Sequence, residues 1–231
     1  MKNDFLRGSL NPLDLVRSLR FKRDFYAAHP DYFRPEGLLV FCGPQGAGKT
    51  LSAVQYCRRI LDAYPDCIFV TNVDIQGLSN PDRVFPYEGL ESLKKFENGY
   101  AGVLYLIDEI HLEWNSLESK NIGIEEMIEF AQQRKQRKHI VGTSQVYGRI
   151  AKPLREQIRR AVLCRNFGGV LQVNDEIDGF NTVEKDGKLV TDTLHKYIWF
   201  HRPDLYACYD TYAKMGRYKK EWNGHARIAS Y

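Results

Sequence analysis

The sequence predicts an α/β fold: a mostly parallel central sheet with helices on both faces and antiparallel edge strands towards the C-terminus. Three observations predict it. Apolar runs of five or six residues recur between Gly37 and Cys164, short enough for strands and unbroken enough to be buried on both faces. Helical stretches separate them, which is the alternation a parallel sheet requires. After Phe167 the texture changes to alternating residues and Gly-containing turns, which suits antiparallel hairpins.

The elements follow in order. Leu13 to Ala28 reads as one helix, basic and aromatic (Arg17, Arg20, Lys22, Arg23, Phe25, Tyr26), ended by His29-Pro30. Gly37–Cys42 is the first buried strand, followed by a Gly-rich loop and a helix from Lys49 to about Tyr64. Cys67–Thr71 is the second strand; Ser79 to Gly89 reads as loop and Leu90 to Phe96 as a short helix. Val103–Ile107 is the third strand. Ile122 to Arg137 is a long helix with Ile124, Met127, Ile128 and Ala131 on one face. His139–Thr143 and Arg160–Cys164 complete the parallel set. Gly168–Val173 and Val183–Val190, the latter around Lys185-Asp186-Gly187, read as edge strands added to the same sheet. The chain thus divides into a basic helical segment (1–35), a core (36–167) and an edge-strand extension with a basic tail containing Arg217, Lys219 and Lys220 (168–231).

Composition narrows the class. With 231 residues, 43% hydrophobic and 27% charged, the chain can bury one real core, which excludes disordered, collagen-like and coiled-coil proteins. The five cysteines are odd in number and form no CxxC pair, which argues against a zinc site or disulfide framework and for a reducing, cytoplasmic setting. No apolar run is long enough for a transmembrane segment, and the N-terminus has no apolar core of a signal peptide.

The chemistry concentrates at strand ends. Gly43-Pro44-Gln45-Gly46-Ala47-Gly48-Lys49-Thr50 matches GxxxxGK[ST] between a buried strand and a helix. Such a loop curls its N–H groups around phosphate oxygens, and the helix N-terminus adds partial positive charge. Lys49 can reach the β- and γ-phosphates, and Thr50 can place its hydroxyl on Mg²⁺. The third strand ends in Asp108-Glu109. Asp108 can hold the Mg²⁺ shell and Glu109 can orient the attacking water, a pairing that favours an ATPase over a small-molecule kinase. Ser144-Gln145, at the end of the fourth strand, can report on the γ-phosphate. Asp108-Glu109-Ile110-His111 also resembles the DExH box of helicases, which need two such domains where this chain has room for one. His111 stands open between that and a local structural role.

Net charge is +4, but it is unevenly spread. From Ala131 to Arg165 there are ten Lys or Arg against Glu156 alone, a local +9 that leaves −5 for the rest. A charge run is usually a solvated face; the sharper reading is a face that meets phosphates of nucleic acid or of a neighbour's nucleotide. Lys152, Arg155, Arg159 and Arg160 are the candidates for nucleic-acid contact.

The order Gly43–Thr50, Thr71-Asn72, Asp108-Glu109, Arg134, Ser144-Gln145 resembles the FtsK–HerA superfamily of DNA-pumping ATPases. Within it the chain is most similar to zonula occludens toxin-like (Zot) phage ATPases, with kinship to virion genome-packaging ATPases. The resemblance spans roughly Gly37 to Arg165. It implies a RecA-like P-loop NTPase fold of the ASCE type, ATP and Mg²⁺ as cofactors, and a homo-oligomeric ring. It implies catalytic roles for Lys49, Glu109, Arg134 and Gln145: Gln145 as the γ-phosphate sensor, and Arg134, eleven residues ahead of it, as the arginine finger of a neighbouring subunit. The expected partners are DNA, held mainly by its backbone, and a capsid or phage assembly protein, in the host cytoplasm or on the virion. Zot-like proteins of filamentous phages carry a transmembrane segment after the ATPase domain. Its lack here favours a motor that packages or moves DNA over one that extrudes virions. The alternatives are a Zot-like ATPase driving phage or protein assembly or secretion, and a helicase-loader-like switch.

Overall fold

The computed structural model describes residues 10–112, 136–185 and 188–209. In chain order the strands are β1 (Gly37–Cys42), β2 (Ile68–Thr71), β3 (Val84–Pro86), β4 (Val103–Ile107), β5 (Lys138–Ser144), β6 (Ile158–Phe167), β7 (Leu171–Asp178), β8 (Val183–Lys185), β9 (Lys188–Val190) and β10 (Thr193–Phe200). The helices are α1 (Pro12–Ala28), α2 (Lys49–Ala63), α3 (Ser92–Lys95), α4 (Lys152–Arg155) and α5 (Pro203–Ala207).

Eight strands form one sheet in the order β3-β2-β4-β5-β1-β6-β7-β10. The first six are parallel. β7 and β10 continue the sheet antiparallel. The expected α/β architecture with antiparallel edge strands is therefore present. β4 shows why its sequence lacks alternation: all five residues are buried, because both sheet faces carry core. One core cluster includes Val40, Val103, Tyr105, Ile107 and Ile140; the other includes Leu51, Val54, Leu104, Leu106 and Val141, and contains the buried side of α2.

Register brings the chemistry together. β5 lies between β1 and β4, with Cys42 opposite Ser144 and Ile107 opposite Gly142. The loops that follow β1, β4 and β5 therefore open on one edge of the sheet, the carboxyl edge where parallel α/β sheets place their ligands.

Several expectations need correction. Ser79 to Gly89 is not all loop: Val84–Pro86 forms β3, three residues with a proline, which only an edge position tolerates. β8 and β9 pair only with each other and are not edge strands of the main sheet. The outer edge is β10, a strand whose residues are almost all exposed. The expected helix from Ile122 lies outside the described residues up to position 135, and its last two residues, Gln136 and Arg137, form a turn with Arg137 at φ 54°. The five cysteines are all buried free thiols. Among the described residues no helix is long and apolar enough to cross a membrane.

α1 buries none of its residues. Past its end the chain is pinned by stacking: Arg137 lies over the Tyr32 ring at 3.5 Å, and Tyr32 meets Phe25 edge-on.

Candidate active site

The phosphate loop runs from Gly43 into α2, whose first residue is Lys49. No side chain caps that helix and its first turn has no acidic residue, so its leading N–H groups face the loop. Lys49 is almost wholly buried and its Nζ donates to the Pro44 carbonyl at 3.0 Å, which folds the ammonium across the loop. Gly48, at φ 77°, has a backbone that strains any other residue, and a Cβ there would stand 2.1 Å from Gln172 Oε1 and displace that amide.

Across the loop stands the end of β4. Thr50 Oγ1 donates to Asp108 Oδ1 at 2.8 Å, and Thr143 Oγ1 donates to the same oxygen at 2.6 Å. Asn72 clamps the Asp108 peptide from β2, accepting from its N–H at 2.8 Å and donating to its carbonyl at 3.2 Å. Thr143 also accepts from the Glu109 N–H at 2.9 Å, so one β5 hydroxyl fixes both acidic residues. Glu109 takes a left-handed backbone, φ 56°, a costly conformation for a residue with a Cβ. The turn can fold back here because Gly142 makes room: a Cβ at Gly142 would lie 2.6 Å from Ile110 Cδ1.

Among the described residues the Glu109 carboxylate has two side-chain neighbours. Gln145 Nε2 is 3.5 Å from Oε2, and His111 Nε2 is 3.2 Å from the same oxygen. His111 is buried, and burial pushes its imidazole below the ordinary histidine value, with the Glu109 charge opposing.

Lys49, Thr50, Asp108, Glu109 and Gln145 thus meet at one edge, as their motif positions require. A hydroxyl and a carboxylate oxygen 2.8 Å apart are hard donors of the kind Mg²⁺ takes, the remaining positions going to water and phosphate oxygens. Arg134 lies outside the described residues.

The family model for zonular occludens toxin (Zot) matches residues 38–215. The chain belongs to the Zot family. Comparison with curated proteins gave no match. Among solved structures, the N-terminal domain of zonular occludens toxin from Neisseria meningitidis is similar at 14% identity, over 77% of this chain and 100% of that one, with a TM-score of 0.51. The genome packaging NTPase of Sulfolobus turreted icosahedral virus 2, in complex with AMPPCP, is similar at 12% identity, over 56% of this chain and 76% of that one, with a TM-score of 0.45. The Zot likeness, at 14% identity, is one of fold, and the fold is a P-loop NTPase fold.

In this Zot-family chain three residues that sequence reasoning missed support the phosphate loop from the other side. Gln172 Nε2 donates to the Ala47 carbonyl and to Asn174 Oδ1, both at 2.9 Å. Asn174 Nδ2 donates to Ser52 Oγ in α2 at 3.1 Å. His201 Nε2 stands 3.1 Å from Gln172 Oε1, tying the end of β10 to the chain of amides. Alternating polar residues in β7 read as a solvent face, and only burial of Gln172 and Asn174 shows otherwise. The signal that could have found them is the amide type: uncharged, two-sided hydrogen-bonding groups rather than Lys or Glu.

The basic stretch resolves into separate fates. Arg137 stacks on Tyr32, and buried Lys138 donates to the Leu93 carbonyl at 2.6 Å. Arg160 pairs with Glu176 at 2.9 Å, and Arg165 pairs with Asp175. Lys152 and Arg155 sit on α4, and Lys152 and Arg159 are exposed. Arg159 and Arg160 lie in the half of β6 that pairs with the start of β1, away from the phosphate loop.

Proposed function

We propose that this chain is an ATPase that works in a homo-oligomeric ring to move or package DNA. One observation carries the ATPase reading: Thr50 and Asp108 share a hydrogen bond at the N-terminus of α2, with the Glu109 carboxylate on the next residue. In this reading the loop Gly43–Thr50 cradles the triphosphate, Lys49 swings from the Pro44 carbonyl to the β- and γ-phosphates, and Thr50 and Asp108 hold the metal. Mg²⁺ held by Thr50 and Asp108 would supply charge neutralisation for the phosphates. Glu109 orients and deprotonates the attacking water, and Gln145, next to the Glu109 carboxylate, links γ-phosphate loss to the segment after β5. Arg134 of a neighbouring subunit stabilises charge on the transferring group. The core 36–167 holds the chemistry, 1–35 is an appended arm, and 168–231 is the extension. The site of action is the host cytoplasm or the assembling virion.

The DNA reading rests on the charge of +9 between Ala131 and Arg165, with Lys152, Arg155, Arg159 and Arg160 as backbone contacts. ATP hydrolysis is expected to rise on adding duplex DNA at low salt and to lose that stimulation as salt rises. Hydrolysis indifferent to DNA across the titration removes the DNA reading. Arg134→Ala is expected to bind ATP yet not hydrolyse it, and to regain turnover when mixed with Lys49→Ala subunits, with rate losses on the order of 10³ or more. No rescue in the mixture removes the finger in trans. A second reading, an ATPase of phage or protein assembly, is favoured by the burial of Lys138 and by the acidic partners Glu176 and Asp175 that Arg160 and Arg165 meet, which offset part of the basic charge.

A further inference from the structure

His111 is the motif residue that the chemistry above leaves unused, and its surroundings differ from those of an ordinary core histidine. His139 supplies the contrast. Its Nδ1 is 3.0 Å from the Gly37 carbonyl and its Nε2 is 3.0 Å from the Tyr56 hydroxyl, so both ring nitrogens serve the packing of β1 and α2. His111 is also buried, yet its Nε2 meets the Glu109 carboxylate at 3.2 Å and its Nδ1 is a buried nitrogen with no hydrogen-bond partner among the described residues. Among the described residues its ring is anchored to Glu109 alone.

The tautomer follows from this. A carboxylate only accepts, so the proton sits on Nε2 and Nδ1 is a bare lone pair. A second proton on Nδ1 would be a buried N–H without an acceptor, so the neutral ring is the form that fits. The groups facing the ring are Glu109 and Asp108 from the end of β4, Lys49 from α2 and Arg149 from the turn after β5.

We infer that His111 is a positioning residue for Glu109: its Nε2–H pins Oε2 of the carboxylate and leaves Oε1 to take the proton of the attacking water. The inference rests on the ATPase reading above. Gln145 meets the same Oε2 at 3.5 Å, so among the described residues both side-chain contacts fall on one oxygen. A neutral donor suits this task. A lysine or arginine in its place would fix the carboxylate equally well but would lower its basicity through the added positive charge. The left-handed backbone of Glu109 places the carboxylate, and the imidazole removes its remaining rotation about the last side-chain bond.

Steady-state hydrolysis by the full chain tests this. His111→Ala is expected to lower kcat about tenfold or more with KM within about twofold, as supporting hydrogen bonds behave elsewhere. His111→Gln, whose amide N–H can reach the same oxygen, is expected to recover kcat to within about threefold of wild type. Wild-type kcat in His111→Ala overturns the inference, and so does a glutamine variant as slow as the alanine one, since that outcome marks a packing role. The ¹⁵N spectrum of the wild-type imidazole gives an independent answer should the variants not fold. An Nε2-protonated ring whose signal moves in Glu109→Gln supports the contact, whereas an Nδ1-protonated ring overturns it. A wild-type chain that hydrolyses no nucleotide defeats the ATPase reading, and the imidazole spectrum still decides whether His111 holds Glu109.

Discussion

The phosphate loop is gripped from two flanks that are built differently. On the β4–β5 flank Asp108 takes the hydrogen bond of Thr50, and Glu109, Thr143 and Gln145 stand behind it at the strand ends. On the β7–β10 flank the contacts come from within or just past antiparallel strands: Gln172, Asn174 and His201. The first flank carries carboxylates and a hydroxyl beside the Gln145 amide and can exchange protons or ligands; the second consists of amides and an imidazole that hold backbone and α2 in place. Parallel strands end together and so gather reactive groups at one edge. Antiparallel strands pass alongside and so offer mid-strand side chains as buttresses.

If that division is real, each flank should fail in its own way. The largest effect is expected at the reactive flank. Glu109→Gln should retain ATP binding while hydrolysis falls by on the order of 10² to 10⁴, read by single-turnover kinetics beside a binding titration. Near-normal turnover would take the reactive role away from that flank.

An acid titration asks whether the parallel half also sets stability. Burial pushes His139 from its ordinary value near 6.5 down to about 4, because the charged ring would lose its solvation. Between those values the unfolded chain takes up a proton that the folded chain refuses. Stability should therefore be full above pH 6.5 and fall by up to about 3 kcal/mol as the pH drops towards 4. Denaturant titrations of wild type and His139→Gln at pH 7 and pH 4.5 would show it. An equal pH slope in both proteins would refute the assignment.

The smallest effect belongs to the supporting flank. Gln172→Ala leaves the Ala47 carbonyl and Asn174 without their donor, a cost of about 1–3 kcal/mol in stability. Nucleotide affinity should weaken with it, while kcat at saturating ATP stays near wild type. A loss confined to kcat would erase the distinction between the flanks.

The same division explains what the sequence discloses. Gly43–Thr50 and Asp108-Glu109 are visible because each breaks the pattern at the end of an unbroken apolar run, where a polar residue has little packing reason to occur. β3 was hidden by its three-residue length and its proline. β10 leaves no strand signal in the sequence because Thr193–Phe200, with His195, Lys196, Tyr197 and Trp199 mixed together, has no buried face to impose alternation. Gln172 and Asn174 alternate as an exposed strand face would, and only the arrival of α2 over them turns that face inward. Counted along the chain the basic stretch is one block, but its members differ in setting: Lys138 is buried and exposed Arg160 pairs with Glu176.

The bond from Gln172 to Ala47 joins residues 125 positions apart. A chain emerging from the ribosome would present its glycine-rich loop long before the amide that braces it had been synthesised. The binding pocket is thus finished only after β7 and then His201 have emerged and docked. A nascent chain stalled before β7 would carry every signature residue of the loop and still lack the means to hold it in shape.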